Sequence, residues 1–163
     1  MYDGGAPGED GAVAVGIQAP EQGADRVLDA ANGDAESVRQ HLLADSSYQE
    51  GMVRFTENHD EPRAAATFPP GKGRAAAVAI LTLAGAKLLH EGQFEGRKAR
   101  LPVFLGRRHA ESFDQDLMAF YGRLLKEVHR DLFRNGEWRL CERNGWPDNQ
   151  RCRTLLAWCW VKA

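Results

Sequence analysis

The chain has 163 residues, 43% of them apolar, and a formal charge of −2, which suits one domain with one buried core. A balance this close to neutral gives no drive toward nucleic acid or an anionic membrane, and no run is long and apolar enough to span a bilayer. Cys141, Cys152 and Cys159 are odd in number and form no CxxC pair, so reduced, buried thiols are expected rather than a disulfide framework or a zinc site.

Residues 1–33 hold seven of the seventeen glycines, and Arg26 is the only basic residue before Arg39. Without periodic apolar positions, this stretch reads as a disordered or non-native tail. It also lacks the basic start and apolar run of a signal peptide, so a cytoplasmic location is expected if Met1 is the true start. Order is expected from Asp34, a candidate N-cap for a helix whose face carries Val38, Leu42 and Leu43. Residues 52–56 read as a short buried strand, and Gly73–Ala86 as a helix packed on most sides. "AKLLH" (Ala86–His90) reads as a second strand. A basic loop follows, and then the clearest helix, in which Leu117, Tyr121, Leu124 and Val128 share one face. "GEWRLCE" and "RTLLAWCWV" read as strands about a turn at Asn144–Pro147. Short buried strands alternating with helices predict parallel βα units. Two such strands do not make a covered sheet, so the chain is expected to borrow strands or to belong to something larger.

The polar run Glu57-Asn58-His59-Asp60-Glu61 ends the first of these strands, and His90, Glu91 and Gln93 end the second. In βα barrels the C-terminal ends of strands carry the chemistry. A metal site built from His59, Asp60, His90 and Glu91 lacks any spacing such as HExxH, and no metal or other cofactor is expected. "PPGKGR" fails as a phosphate loop, because Ala66 stands where the first glycine belongs and Gly73 follows Lys72. It reads as a helix-entry loop. Arg97, Lys98, Arg100, Arg107 and Arg108 have few aromatics among them and read as a solvated loop, with no nucleic-acid partner. Trp158 and Trp160 share one strand face, an arrangement open to sugar stacking or to core packing.

Phe55-x-x-Asn58-His59-Asp60 resembles the fourth conserved region of the α-amylase superfamily, glycoside hydrolase family 13. By that resemblance, which covers roughly residues 26–163, "GAKLLHEGQ" is similar to barrel strand eight, and the helices at 73–84 and 114–130 to barrel helices seven and eight. The implied fold is α/β: residues 34–133 as the C-terminal part of a (β/α)8 TIM barrel, and residues 134–163 as the start of a β-sandwich domain. The implied activity is that of a retaining glycosidase or transglycosylase on α-glucans or α-glucosides. Asp60 would stabilise the transition state, His59 would bind substrate, and Asn58 would hold the turn that presents them. The family's nucleophile and general-acid motifs are absent. A whole barrel takes about 250 residues, so the resemblance implies a fragment inactive alone, whose missing strands or another chain complete it. The competing expectation is a non-catalytic α/β interaction module that pairs with another chain through its apolar strands.

Overall fold

The computed structural model describes residues 16–18, 35–101, 104, 106–107, 110–148 and 150–162. Three short strands form one sheet in the order β1 (Gly16–Gln18), β2 (Val53–Phe55), β3 (Ala86–Lys87). The alternation expected from the sequence is present. β2 and β3 run parallel, with Val53 opposite Ala86 and Arg54 opposite Lys87, and helices α3 (Ala64–Thr67) and α4 (Pro70–Thr82) lie between them in the chain. β1 pairs antiparallel with the other edge of β2, Gly16 opposite Phe55. It arises inside the stretch read as a tail; the rest of residues 1–34, including the Asp34 cap, lies outside the described residues.

Helix α1 (Ala35–Leu42) turns Val38 and Leu42 into the core, while Leu43, just past its end, is exposed. Helix α2 (Ser46–Glu50) is capped by Asp45, whose carboxylate accepts from Ser47 N at 2.9 Å. Helix α4 starts earlier than its apolar run predicts. Pro69-Pro70-Gly71-Lys72-Gly73 is not an entry loop; Pro70 is the first residue of the helix, where a missing N–H and a preset φ cost nothing. Helix α5 (Gln115–Val128) begins where Asp114 accepts from Leu117 N at 2.9 Å. Its face at Leu117, Tyr121, Leu124 and Val128 packs on the core of Val38, Leu42, Met52, Ala77, Ile80 and Leu83.

Two features bind strands to helices. Gly85 has φ +98°, and a Cβ there would sit 2.5 Å from Met52 O and 2.8 Å from Gln49 O. Only glycine lets the chain enter β3 this close to the end of α2. Arg54, in the middle of β2, is fully buried. Its Nε donates to the Ala84 carbonyl and its Nη2 to Gln49 Oε1 at 2.6 Å. Burial pulls this guanidinium down to about 10.

Beyond α5, the short helix α6 (Asp131–Asn135) leads into an antiparallel hairpin of β4 (Glu137–Leu140) and β5 (Trp158–Val161). The apolar strand near the end of the chain therefore has a partner within the chain. Arg153 and Thr154, read as the start of that strand, instead close a 3-10 turn over Gln150–Thr154. The hairpin docks on the C-terminal end of α4, where Trp158 Nε1 donates to Thr82 Oγ1 at 3.1 Å and Trp160 Nε1 to Thr82 O at 2.6 Å. Both tryptophans are half-buried, Trp158 packed against the core and Trp160 against Phe133 with ring centroids 5.8 Å apart. No helix among the described residues is long and apolar enough to cross a membrane.

Candidate functional site

Because β2 and β3 are parallel neighbours, the loops that leave their C-terminal ends meet. The loop after β2 is shaped by Asn58, whose Oδ1 accepts from Asp60 N at 2.8 Å and from Glu61 N at 2.9 Å. A short amide side chain that bonds backbone two and three residues on is the device that makes such a turn tight. The turn lifts His59 and Asp60 into solvent, their side chains 77% and 69% exposed. His59 Nε2 lies 3.1 Å from Asp60 Oδ2, so the imidazole and the carboxylate project together. A carboxylate accepts and an imidazole N–H donates, so the pair can engage the hydroxyl groups of one ligand. Arg100 Nε donates to the His59 carbonyl at 3.3 Å.

Glu57, one residue before this turn, points the other way and is 1% exposed. Its Oε2 accepts from Ala64 N at 2.6 Å, across the whole loop, and its Oε1 stands 3.0 Å from Arg63 Nη2, an ion pair without hydrogen-bond alignment. Burial pushes the Glu57 carboxyl above its ordinary value, with Ala64 N–H and the Arg63 charge opposing that shift. Glu57 thus faces the protein interior, away from the exposed His59–Asp60 pair.

Arg63 is itself 2% exposed. It reaches into the loop after β3, with Nη1 2.7 Å from His90 Nδ1, Nη2 donating to Glu91 O at 2.9 Å, and Nε to Arg97 O at 3.3 Å. A guanidinium only donates, so His90 Nδ1 is assigned as an acceptor, with the ring proton on Nε2. The 3.6 Å approach of His90 Nδ1 to Glu57 Oε1 is then proximity rather than a salt bridge. Gln93, 3% exposed, accepts from His90 N at 3.1 Å and donates Nε2–H to the Tyr121 hydroxyl at 2.9 Å. Burial raises the Tyr121 phenol above its ordinary value, which keeps it a neutral partner. Gln93 is thus a structural link to α5.

Of the residues singled out in the sequence, Asn58, His59 and Asp60 form one turn, and His90, Glu91 and Gln93 lie in the adjacent loop. Among the described residues, no group of three or more His, Cys, Asp or Glu side chains is placed to hold a metal ion. Arg63 was missed. The available signal was a buried acid and a basic residue flanking one polar turn, which becomes visible only once the turn is known to fold back on itself. A cavity of about 440 Å³ lies behind the Gln93–Tyr121 pair, lined also by Phe68, Arg74, Lys98 and Phe113; Asp60 does not line it.

No family model and no curated protein matched the sequence. Among solved structures, the chain is similar to a noncanonic maltogenic alpha-amylase, AmyB from Thermotoga neapolitana, with a TM-score of 0.63 at 20% identity. The fold is similar to part of an amylase. The match covers 80% of this chain and 31% of that one, so the chain spans about a third of the structure it resembles. At this identity the likeness is one of fold.

Proposed function

We propose that this chain carries one wall of an α-amylase-type active site, acting on α-glucans or α-glucosides by hydrolysis or transglycosylation. The observation that carries this reading is the Asn58-bonded turn, which presents His59 and Asp60 side by side at the C-terminal end of a parallel strand. The amylase-like fold is the setting in which such a turn meets a sugar. In the proposal, residues 34–133 are the last part of a (β/α)8 barrel and residues 134–163 open a β domain.

The chemistry assigned to the turn is limited and specific. Retaining glycosidases pass through an oxocarbenium-like transition state between two carboxyl groups about 5 Å apart. Those two groups would come from segments outside the described residues, in the remaining barrel strands or on another chain. Asp60 would accept hydrogen bonds from adjacent sugar hydroxyls, and His59 would donate to one of them. Bonds that shorten as the ring flattens favour the transition state over the ground state, and only that difference lowers the barrier.

Titration of the chain with maltotriose, followed by NMR at His59 and Asp60, tests the wall directly. Perturbation confined to the two strand-end loops is the expected result, with affinity lost in Asp60→Ala. Charged hydrogen bonds contribute about 1.5–3 kcal/mol each, so one lost bond lowers affinity by about tenfold or more. Equal response to cellotriose, or none to either sugar, would remove the α-glucoside assignment.

A further inference from the structure

We infer that Glu57 and Arg63 form a buried brace that sets the bearing of the His59–Asp60 turn against the loop after β3, making both of them positioning residues. That the bearing serves a saccharide rests on the function proposed above; the brace itself rests on geometry.

Asn58 fixes the shape of the turn through its two bonds to Asp60 and Glu61, both within the turn itself. Bonds of that kind do not fix where the turn points. Its ties to distant parts of the chain include the Arg100–His59 carbonyl bond, long and exposed at 3.3 Å, and the set at its base. There Glu57 clasps Ala64 N across the loop and lies against Arg63, and Arg63 spans to His90, Glu91 and Arg97. Gln93 passes the constraint to Tyr121 on α5. The exposed pair is therefore connected, through two side chains that are almost fully buried, to the neighbouring strand end and to a helix of the core. For stability alone this is a poor arrangement. A buried ion pair loses much of its Coulombic gain to desolvation, and well-packed apolar groups often serve equally well. What apolar groups do not supply is direction. The planar guanidinium, with donors in a fixed fork, holds two loops at one mutual angle, and a catalytic group displaced by about 1 Å loses much of its effect.

The test is amide hydrogen exchange on the 163-residue chain, parent against Glu57→Gln and Arg63→Lys. The glutamine variant keeps an acceptor for Ala64 N but no charge, and the lysine variant keeps the charge but not the fork. The expected result is exchange about tenfold faster at Asp60, Glu61 and Ala64, with Leu88 N and the α5 amides accelerated far less. Affinity for maltotriose should fall with it. Unchanged exchange in the turn would overturn the brace. So would acceleration shared equally by Leu88 and α5, which is the mark of a residue that merely holds the fold. If one variant does not fold, the other decides on the same criterion. If the parent binds no maltotriose, the exchange pattern still decides the brace, and only the saccharide reading fails.

Discussion

The substitution of glycine by alanine should act with opposite sign at two positions of this chain. At Gly85 the backbone is left-handed, φ +98°, and the added methyl would meet two carbonyl oxygens at 2.5 and 2.8 Å. Neither oxygen is free to move. Met52 O accepts the Ala86 N–H at 2.8 Å and Gln49 O the Met52 N–H at 3.4 Å, so a shift breaks the entry to β3. The left-handed conformation alone costs an L-residue about 1–2 kcal/mol, and overpacking adds about 1–3 kcal/mol. Gly85→Ala should therefore lose about 2–5 kcal/mol, a large share of the roughly 5–15 kcal/mol typical of a folded domain. Gly122 sits inside α5, is exposed, and has nothing within 4 Å of an added Cβ. There alanine removes the entropy penalty of a helical glycine and should gain about 0.5–1 kcal/mol. Urea unfolding monitored by tryptophan fluorescence measures both, with the m-value as a check that the transition is the same. A Gly85→Ala loss below about 0.5 kcal/mol, or a destabilised Gly122→Ala, would refute this account of how β3 is seated.

Burial raises the Glu57 carboxyl, so the folded state binds its proton more tightly than the unfolded state does. That contribution is complete below the ordinary value of 4.5 and is lost as pH rises through the raised one. The stability of the parent relative to Glu57→Gln should therefore fall as pH increases from 4.5; a difference that grew with pH would contradict the desolvated placement. Lys87 has the opposite sense: burial, with Arg54 beside it, lowers its amine to about 8 from 10.5. Its folded-state pKa is depressed, so its contribution is present above 10.5 and lost as pH falls through about 8. The parent should gain on Lys87→Met as pH rises from about 8 to 10.5 in chemical unfolding, and a flat difference would place Lys87 in water. Trp160→Phe strands the Thr82 carbonyl at a cost of about 1 kcal/mol, whereas after Trp158→Phe the Thr82 hydroxyl keeps its 2.7 Å bond to Val78 O. Thermal unfolding should rank Trp160→Phe as the more destabilising, and the reverse order would count against this docking of the hairpin.

The alternation of strands and helices was legible because each element announces itself locally. The apolar positions of α5 recur at helical spacing behind the Asp114 cap, and the run Met52–Phe55 stops at five polar residues. The turn at Asn58 was implied by the family resemblance, and the bond that makes it is local, from Asn58 to the backbone two residues on. β1 was not, because Gly16–Gln18 has no pattern of its own and is a strand only by pairing with the free edge of β2. The start of α4 was misjudged through a turn-like composition that a helix tolerates in its first turn.

The sequence alone determined that each of the two parallel strands runs into a polar loop, since strand and polar turn are short-range, but it carried the second strand to His90, whereas β3 ends at Lys87. Only the tertiary structure decided that Glu57 turns inward and that Arg63 meets His90, 27 residues away. That contact depends on the parallel register of β2 and β3 and on Gly85 allowing the close approach. Whether an acid in a polar turn becomes a solvated ligand group or a buried brace is set by which loop lies beside it, and adjacency between distant segments is not written in any local window of residues.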